Sequence, residues 1–180
     1  MRRCPLRRGA VSRAILQWGH KNETAPMVTE TLERMCESDR PRADSPVSRS
    51  DLDGIERVWV WGLPLARLTC EATLDAVDRL IARGEPSYFI TANLHYAMLS
   101  QRDPRLATVN RRAAFIVADG MPLVWYSRLL RRPLPERVAG SDLIYLLSGR
   151  AAQRRHRLFL LGGGPGVAEQ AADALCRRHP

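Results

Sequence analysis

The chain has 180 residues, 45% of them hydrophobic, which is enough for one domain with a real core and excludes disorder throughout. Its formal net charge of +9 comes from 28 basic against 19 acidic residues, and Lys21 is the one lysine among the arginines. Such a surface attracts phosphates, nucleic acid or anionic lipid, although arginine-rich coding in a GC-rich genome produces the same excess.

The first stretch, "MRRCPLRRGAVSRAILQWG", starts basic, but its apolar centre is short and no small-residue cleavage site follows, so it is not read as a secretory signal. Residues 1–52 carry no sustained period. "SDRPRADSPVSRSD" (38–51) solvates well and packs poorly, and the stretch reads as a flexible basic extension with room for a short helix around Met27 to Cys36. From residue 53 onward short apolar runs alternate with amphipathic stretches, the pattern of strands and helices around a parallel sheet. "RVWVWG" (57–62) is the first strand, turned by Gly62 and Pro64. Thr69 caps the helix "CEATLDAVDRLIARG" (70–84), where Leu74, Val77, Leu80 and Ile81 recur at helical spacing and Gly84 is the stop.

"SYFITAN" (87–93) is a second strand, apolar enough to be covered on both faces. Asn93 caps the helix "LHYAMLSQRD", and Pro104 opens another, "PRLATVNRR". "AFIVAD" (114–119) is the third strand, followed by a helix through Trp125 and Leu130. After the turn "RRPLPERVAG", Ser141 or Asp142 starts the helix "LIYLLSGRAAQR". "RLFLLGGGPGVAEQAADALCRR" (157–178) supplies a fourth strand, a glycine loop and a helix. The expected fold is α/β and Rossmann-like, a largely parallel sheet with flanking helices. The pattern breaks off at a helix whose next strand is missing, so residues 53–180 read as the N-terminal portion of a longer fold.

In such a sheet ligands collect beyond the carboxyl ends of the strands. The candidates are therefore Thr91 and Asn93, then Asp119 and Gly120, then the glycines from Gly162 to Gly166. A carboxylate at a strand end is held rigidly and partly desolvated, as a general base requires, and Gly120 leaves room beside it for substrate. Asp119 could equally cap the helix that begins "GMPLVW". Thr91 and Asn93 offer short polar groups suited to sugar hydroxyls or an acetamido group, with helix capping as the alternative for Asn93. The loop "LGGGPGVAE" places backbone N–H groups at a helix N-terminus, which favours phosphate, but matches neither G-x-G-x-x-G nor a Walker loop; a tight turn with no ligand accounts for it too.

Arg128, Arg131, Arg132 and Arg137 flank "PLPERVAG" and can donate to a diphosphate. Alternatively, with Trp125, Tyr126 and the Leu129–Leu130 pair nearby, the group can lie against anionic lipid, although Trp125 reads better as core. Arg150, Arg154, Arg155, His156 and Arg157 read as the solvated end of a helix, and His20, His156 and His179 as surface positions. His95, a lone histidine on a helix, reads as structural. Cys4, Cys36, Cys70 and Cys176 are scattered and read as reduced cytosolic thiols. No Ser/His/Asp order, metal cluster or D-x-D spacing can be assembled, so no metal is expected. No uncharged apolar run reaches the ~18–20 residues of a membrane span, so any membrane contact is expected from the cytoplasmic side.

These motifs in this order, "WGLPLARLT", "FITANLHYAMLSQRDPRL", "IVADGMPLVWYSRLL", "PLPERVAGSDLIYLL" and "RLFLLGGGPGVAEQAADAL", resemble the WecG/TagA/CpsF family of bacterial glycosyltransferases. The resemblance runs from about residue 58 to 180. It implies inverting transfer of a sugar, typically N-acetylmannosamine, from a UDP donor to N-acetylglucosamine on undecaprenyl diphosphate in cell-surface polysaccharide synthesis. It implies no metal and no cofactor. Asp119 matches the family's proposed base and Thr91 and Asn93 its T-A-N pair. Arg137, Gly140 and Asp142 match the R-V-x-G-x-D motif on the substrate side, and Gly162, Gly163 and Gly164 match the nucleotide-side loop. The family continues past residue 180 with further strands and an appendage implicated in membrane attachment, and its members can self-associate. The implied place of action is the inner face of the cell membrane, reached peripherally.

Three other classes compete. A Rossmann dehydrogenase requires G-x-G-x-x-G near the first strand and an acid about 20 residues on, and neither is present. A basic nucleic-acid module would interleave aromatics with its arginines or carry a helix-turn-helix reader, so no nucleic acid is expected. A truncated, non-catalytic remnant of the transferase is the third alternative.

Overall fold

A computed structural model describes residues 13–17 and 54–179. The helix expected around Met27 to Cys36, and most of the N-terminal extension, lie outside the described residues. Within that extension Arg13–Gln17 forms a strand, β1, that the sequence reading did not anticipate.

The first strand of the main sheet, β2 (Arg57–Val60), is followed at once by β3 (Leu63–Ala66), antiparallel to it. The sequence reading assigned Pro64 to the turn; it is in fact inside β3. The turn is only Trp61 and Gly62, with φ of 47° and 75°, and positive φ at both central residues is the mark of a type I′ hairpin, whose twist suits two paired strands. Val60 faces Leu63 across that turn, so the next pair, Trp59 with Pro64, is the one that exchanges no ladder hydrogen bonds, and the missing proline N–H costs the hairpin little. Trp61 accepts an uncommon backbone conformation while its ring packs 4.9 Å from that of Tyr126.

Helix α1 (Cys70–Arg83) has the expected ends. The Thr69 hydroxyl accepts from Ala72 N, and Gly84 closes the helix at φ 72°. Strand β4 (Ile90–Ala92) leads into α2 (Leu94–Arg102), capped by Asn93, whose Oδ1 accepts from Tyr96 N at 2.9 Å. Asp103 caps α3 (Pro104–Arg112), with Pro104 in the first turn. Strand β5 (Ile116–Ala118) is fully buried and precedes α4 (Met121–Leu129). Helix α5 (Gly140–Arg154), β6 (Arg157–Leu161) and α6 (Val167–Arg178) complete the described chain.

The main sheet runs β2-β3-β5-β4, with β3, β5 and β4 parallel. Alternation along β5 divides the core. Phe115 and Val117 face α1 and α5, in a cluster with Leu74, Val77, Leu143 and Leu147. Ile116 and Ala118 face α2 and α4, in a cluster with Leu65, Ala97, Leu123 and Val124. Helices therefore cover both faces, and the architecture is Rossmann-like as the strand and helix pattern predicted. The edge strand β4 is less enclosed than expected: Ala92 is buried, whereas Ile90 and Thr91 are half-buried.

Strand β6 departs from expectation. It pairs in parallel with β1 in a separate two-stranded sheet instead of adding a fourth parallel strand to the main one. Phe159 and Leu161 are exposed on it.

The arginines at the end of α5 have a more specific task than solvation. Asp78 of α1 keeps only 10% of its side chain exposed; its Oδ2 lies 3.3 Å from Arg150 Nη1 and 3.2 Å from Arg154 Nε, and its Oδ1 is 3.7 Å from His156 Nε2. Arg150 also reaches Asp75 at 3.1 Å. The cluster locks α1 to α5 over the first core. Replacing Asp78 by Ala leaves these cations without their shared, nearly buried anion, and we expect a loss of about 2 kcal/mol in urea unfolding. A loss below about 0.5 kcal/mol would show that the cluster is only a surface arrangement. His179 is likewise no surface residue: its ring packs on Gly149 of α5, and Nε2 is buried without a hydrogen-bond partner.

Candidate active site

Three strand ends meet at the carboxyl edge of the main sheet, and the "PLPERVAG" loop closes over them. Val138 N donates to Ala118 O at 2.8 Å, extending β5 by one partner, and Asp119 N donates to Ala92 O at 2.8 Å. Arg67, just past β3, donates through Nε to Pro133 O at 3.0 Å, and Cys70 N donates to the Glu136 carboxylate. The near side of the loop is held by Ser127, fully buried in α4: its Oγ accepts from Leu134 N at 2.9 Å and donates to Val124 O at 2.6 Å.

Asp119 stands at the centre of this edge. It does not cap the helix next to it: the N-cap position of α4 is Gly120, and no side chain caps that helix. Instead Asp119 Oδ2 accepts from Gly140 N at 3.1 Å, the first N–H of α5, twenty-one residues downstream. That helix starts at Gly140 rather than at Ser141 or Asp142, and its own N-cap residue, Ala139, supplies no side-chain bond. Asp119 thus satisfies one of the orphan N–H groups of α5 across the fold. Only one carboxylate oxygen is used; Oδ1 has no protein donor among the described residues.

Gly140 brings in the second group. A Cβ built there would lie 3.2 Å from Thr91 Oγ1, a tight approach that the missing side chain relieves, and at an ordinary 3.5 Å from Asp119 Oδ2. Thr91, Asp119 and Gly140 therefore form one cluster. Asn93 adjoins it through Gly120, where a Cβ would meet Asn93 Cα at 3.9 Å and Cβ at 4.0 Å. These are ordinary contacts, and Gly120, at φ 176°, is in extended backbone, so neither geometry demands glycine there. Asn93 caps α2 and is exposed at the same edge.

The remaining predicted residues divide. Arg137 donates through Nη2 to Asp142 Oδ2 at 2.9 Å, so the two substrate-side candidates are each other's partners on the exposed rim. Arg128, Arg131 and Arg132 are exposed at the far end of α4, about 12 Å along its axis from Gly120. Gly162, Gly163 and Gly164 follow β6, which pairs with β1 in the separate small sheet and not with a strand of the main sheet. The side chain nearest to Gly163 and Gly164 is Val167, and φ of 119°, 81° and 78° at Gly162, Gly163 and Gly166 makes this loop a turn that needs glycine. His95 is exposed on α2. Among the described residues no group of three or more His, Cys, Asp or Glu is placed to hold a metal ion.

Two features escaped sequence reasoning. The bond from Gly140 N to Asp119 joins distant segments, and no local signal announces it. Cys70 packs under the loop, with Sγ 3.9 Å from Arg137 O, and burial, then the neighbouring Glu136 carboxylate, push its thiol above the ordinary range. A thiol raised in this way stays protonated at neutral pH and reacts slowly. Peptide-resolved labelling with iodoacetamide at pH 7.5 should modify the exposed Cys176 at least about tenfold faster than Cys70. Equal rates would mean that the loop opens freely.

Residues 58–180 match the family model described as "Glycosyl transferase WecG/TagA/CpsF family". Over 94 residues the chain is 32% identical to an N-acetylglucosaminyldiphosphoundecaprenol N-acetyl-beta-D-mannosaminyltransferase of Bacillus spizizenii; the match covers 52% of this chain and 37% of that protein.

Proposed function

The chain belongs to the WecG/TagA/CpsF family of glycosyl transferases, and on that premise we propose that its carboxyl edge is the acceptor half of an inverting hexosyltransferase with Asp119 as the base. The observation that carries the reading is the half-engaged carboxylate: Oδ2 is fixed on Gly140 N and Oδ1 is left to take a proton. In the proposed step the acceptor hydroxyl gives its proton to Oδ1 while its oxygen forms a bond to the anomeric carbon. The bond from that carbon to the diphosphate oxygen breaks on the opposite face, and UDP leaves with the electron pair. Fixing the base before substrate arrives removes the cost of orienting it at the moment of reaction.

The neighbours take supporting roles. In this reading Thr91 Oγ1 and the Asn93 carboxamide hold sugar hydroxyls or an acetamido group. Arg137 can exchange its surface partner, Asp142, for a diphosphate, a stronger bidentate acceptor. Carried over from the Bacillus spizizenii relative's name, the transferred group is N-acetylmannosaminyl and the acceptor is N-acetylglucosaminyl-diphosphoundecaprenol. The proposed donor is the UDP sugar, and the proposed place is the cytoplasmic face of the membrane, where such a lipid is reached peripherally. Among the described residues no helix is long and apolar enough to cross a membrane.

The test is UDP release from UDP-N-acetylmannosamine by the purified protein, with and without the lipid-diphosphate-linked N-acetylglucosamine. Release is expected only with both present. Release independent of acceptor would refute a base committed to the acceptor, and no release under either condition would mark the chain as a non-catalytic remnant.

A further inference from the structure

Helix α4 is apolar on two sides. Its inner side, Leu123 and Val124 with Ser127, is buried against the sheet. Its outer side carries Met121, Trp125 and Leu129 at four-residue spacing, a single stripe along the helix, with Trp125 58% and Leu129 77% exposed. Trp125, expected in the core, is therefore on the surface. A helix apolar on both sides requires an apolar neighbour on each, and the described residues supply only one of them.

The charge around the stripe says what the other neighbour is. From Asp119 to Glu136 the sequence holds no acidic residue between them, while Arg128, Arg131 and Arg132 are all exposed there. None of these three forms an ion pair among the described residues. Arg131, at φ 56°, turns the chain at the end of the helix, so the basic residues cluster at the end of the stripe. A tryptophan and leucines flanked by unpaired arginines match the boundary of an anionic bilayer: apolar side chains enter the acyl region, the indole sits at the headgroups, and guanidinium groups meet lipid phosphates.

We propose that the outer face of α4, with Arg128, Arg131 and Arg132, is the surface by which this protein rests on anionic lipid. The inference builds on the lipid-linked acceptor assigned above, and it adds the orientation. Met121 is two residues from Asp119, so the stripe begins beside the acceptor site and runs away from it.

The test is co-sedimentation with vesicles of phosphatidylcholine alone or with 30% phosphatidylglycerol, a measurement that does not depend on catalysis. The full chain should bind the anionic vesicles, and binding should weaken as salt is raised. Leu129→Glu, at a highly exposed position, should reduce binding at least about tenfold, and each Arg→Gln change at 128, 131 or 132 roughly fivefold. Asp119→Asn should bind like the wild type, which separates a failure of this surface from a failure of the catalytic reading. Unchanged binding by Leu129→Glu would overturn the proposal. So would equal binding to neutral vesicles, or light scattering showing a dimer that Leu129→Glu dissociates, because a second copy would then be what covers the stripe.

Discussion

Replacing Asp119 by Asn is expected to lower turnover about 10³-fold with the fold intact. The carboxamide oxygen can still accept from Gly140 N, now 3.1 Å from Oδ2, so the start of α5 keeps its partner and only the basic oxygen is lost. Asp119→Ala removes both, and should add a loss of about 1 kcal/mol in unfolding free energy, the usual value of a helix cap. The pair of variants separates chemistry from structure. Turnover of Asp119→Asn within about threefold of the wild type would remove Asp119 from the reaction and leave it as a long-range cap.

The second large effect is expected at Gly140. Alanine suits the first turn of a helix better than glycine does, so Gly140→Ala should leave the melting temperature unchanged or slightly raised. Its methyl would nevertheless stand 3.2 Å from Thr91 Oγ1, which must shift by a few tenths of an ångström, while its 3.5 Å to Asp119 Oδ2 is an ordinary contact. Misplacing a positioning group by about 1 Å can cost about 100-fold, and for this smaller shift of Thr91 a fall of about 10-fold in kcat is expected. Full activity together with higher stability would show that the close approach of Thr91, Asp119 and Gly140 is packing alone.

Much of this was legible in the chain because the signals are local. Thr69, Gly84, Asn93 and Pro104 act on neighbours within a turn, and each occupies the end of the helix that it was expected to mark. The two core faces follow from alternation in β5 and from helical spacing in α1. What was not legible depends on tertiary partners. Pro64 was read as a breaker because a proline inside a strand is tolerated only where the ladder does not use its N–H, and that depends on register. The role of Asp119 was divided between base and local cap, and the structure shows a cap for a different helix. Apolar composition placed Trp125 in the core, but a nine-residue helix has two sides and only one of them meets the sheet. The glycine loop was grouped with the site because a fourth strand was expected beside the third. In this structure β6 pairs instead with β1, in the small sheet.

The two hydrogen bonds of Ser127 reach further than the packing that they secure. One ends within α4 and the other on the loop that carries Val138 and Gly140 to Asp119, so the outer helix and the acceptor edge are tied into one piece. If that helix rests on lipid as proposed, the piece acts as a ruler. The height of Asp119 above the bilayer is then set by the protein, within about 14 Å, the length of α4. A sugar joined to its lipid by a diphosphate alone would lie at a working height, whereas one raised on a longer glycan would overshoot it. Selection of the first sugar on the carrier could thus come from distance, with no contact that reads the sugar itself.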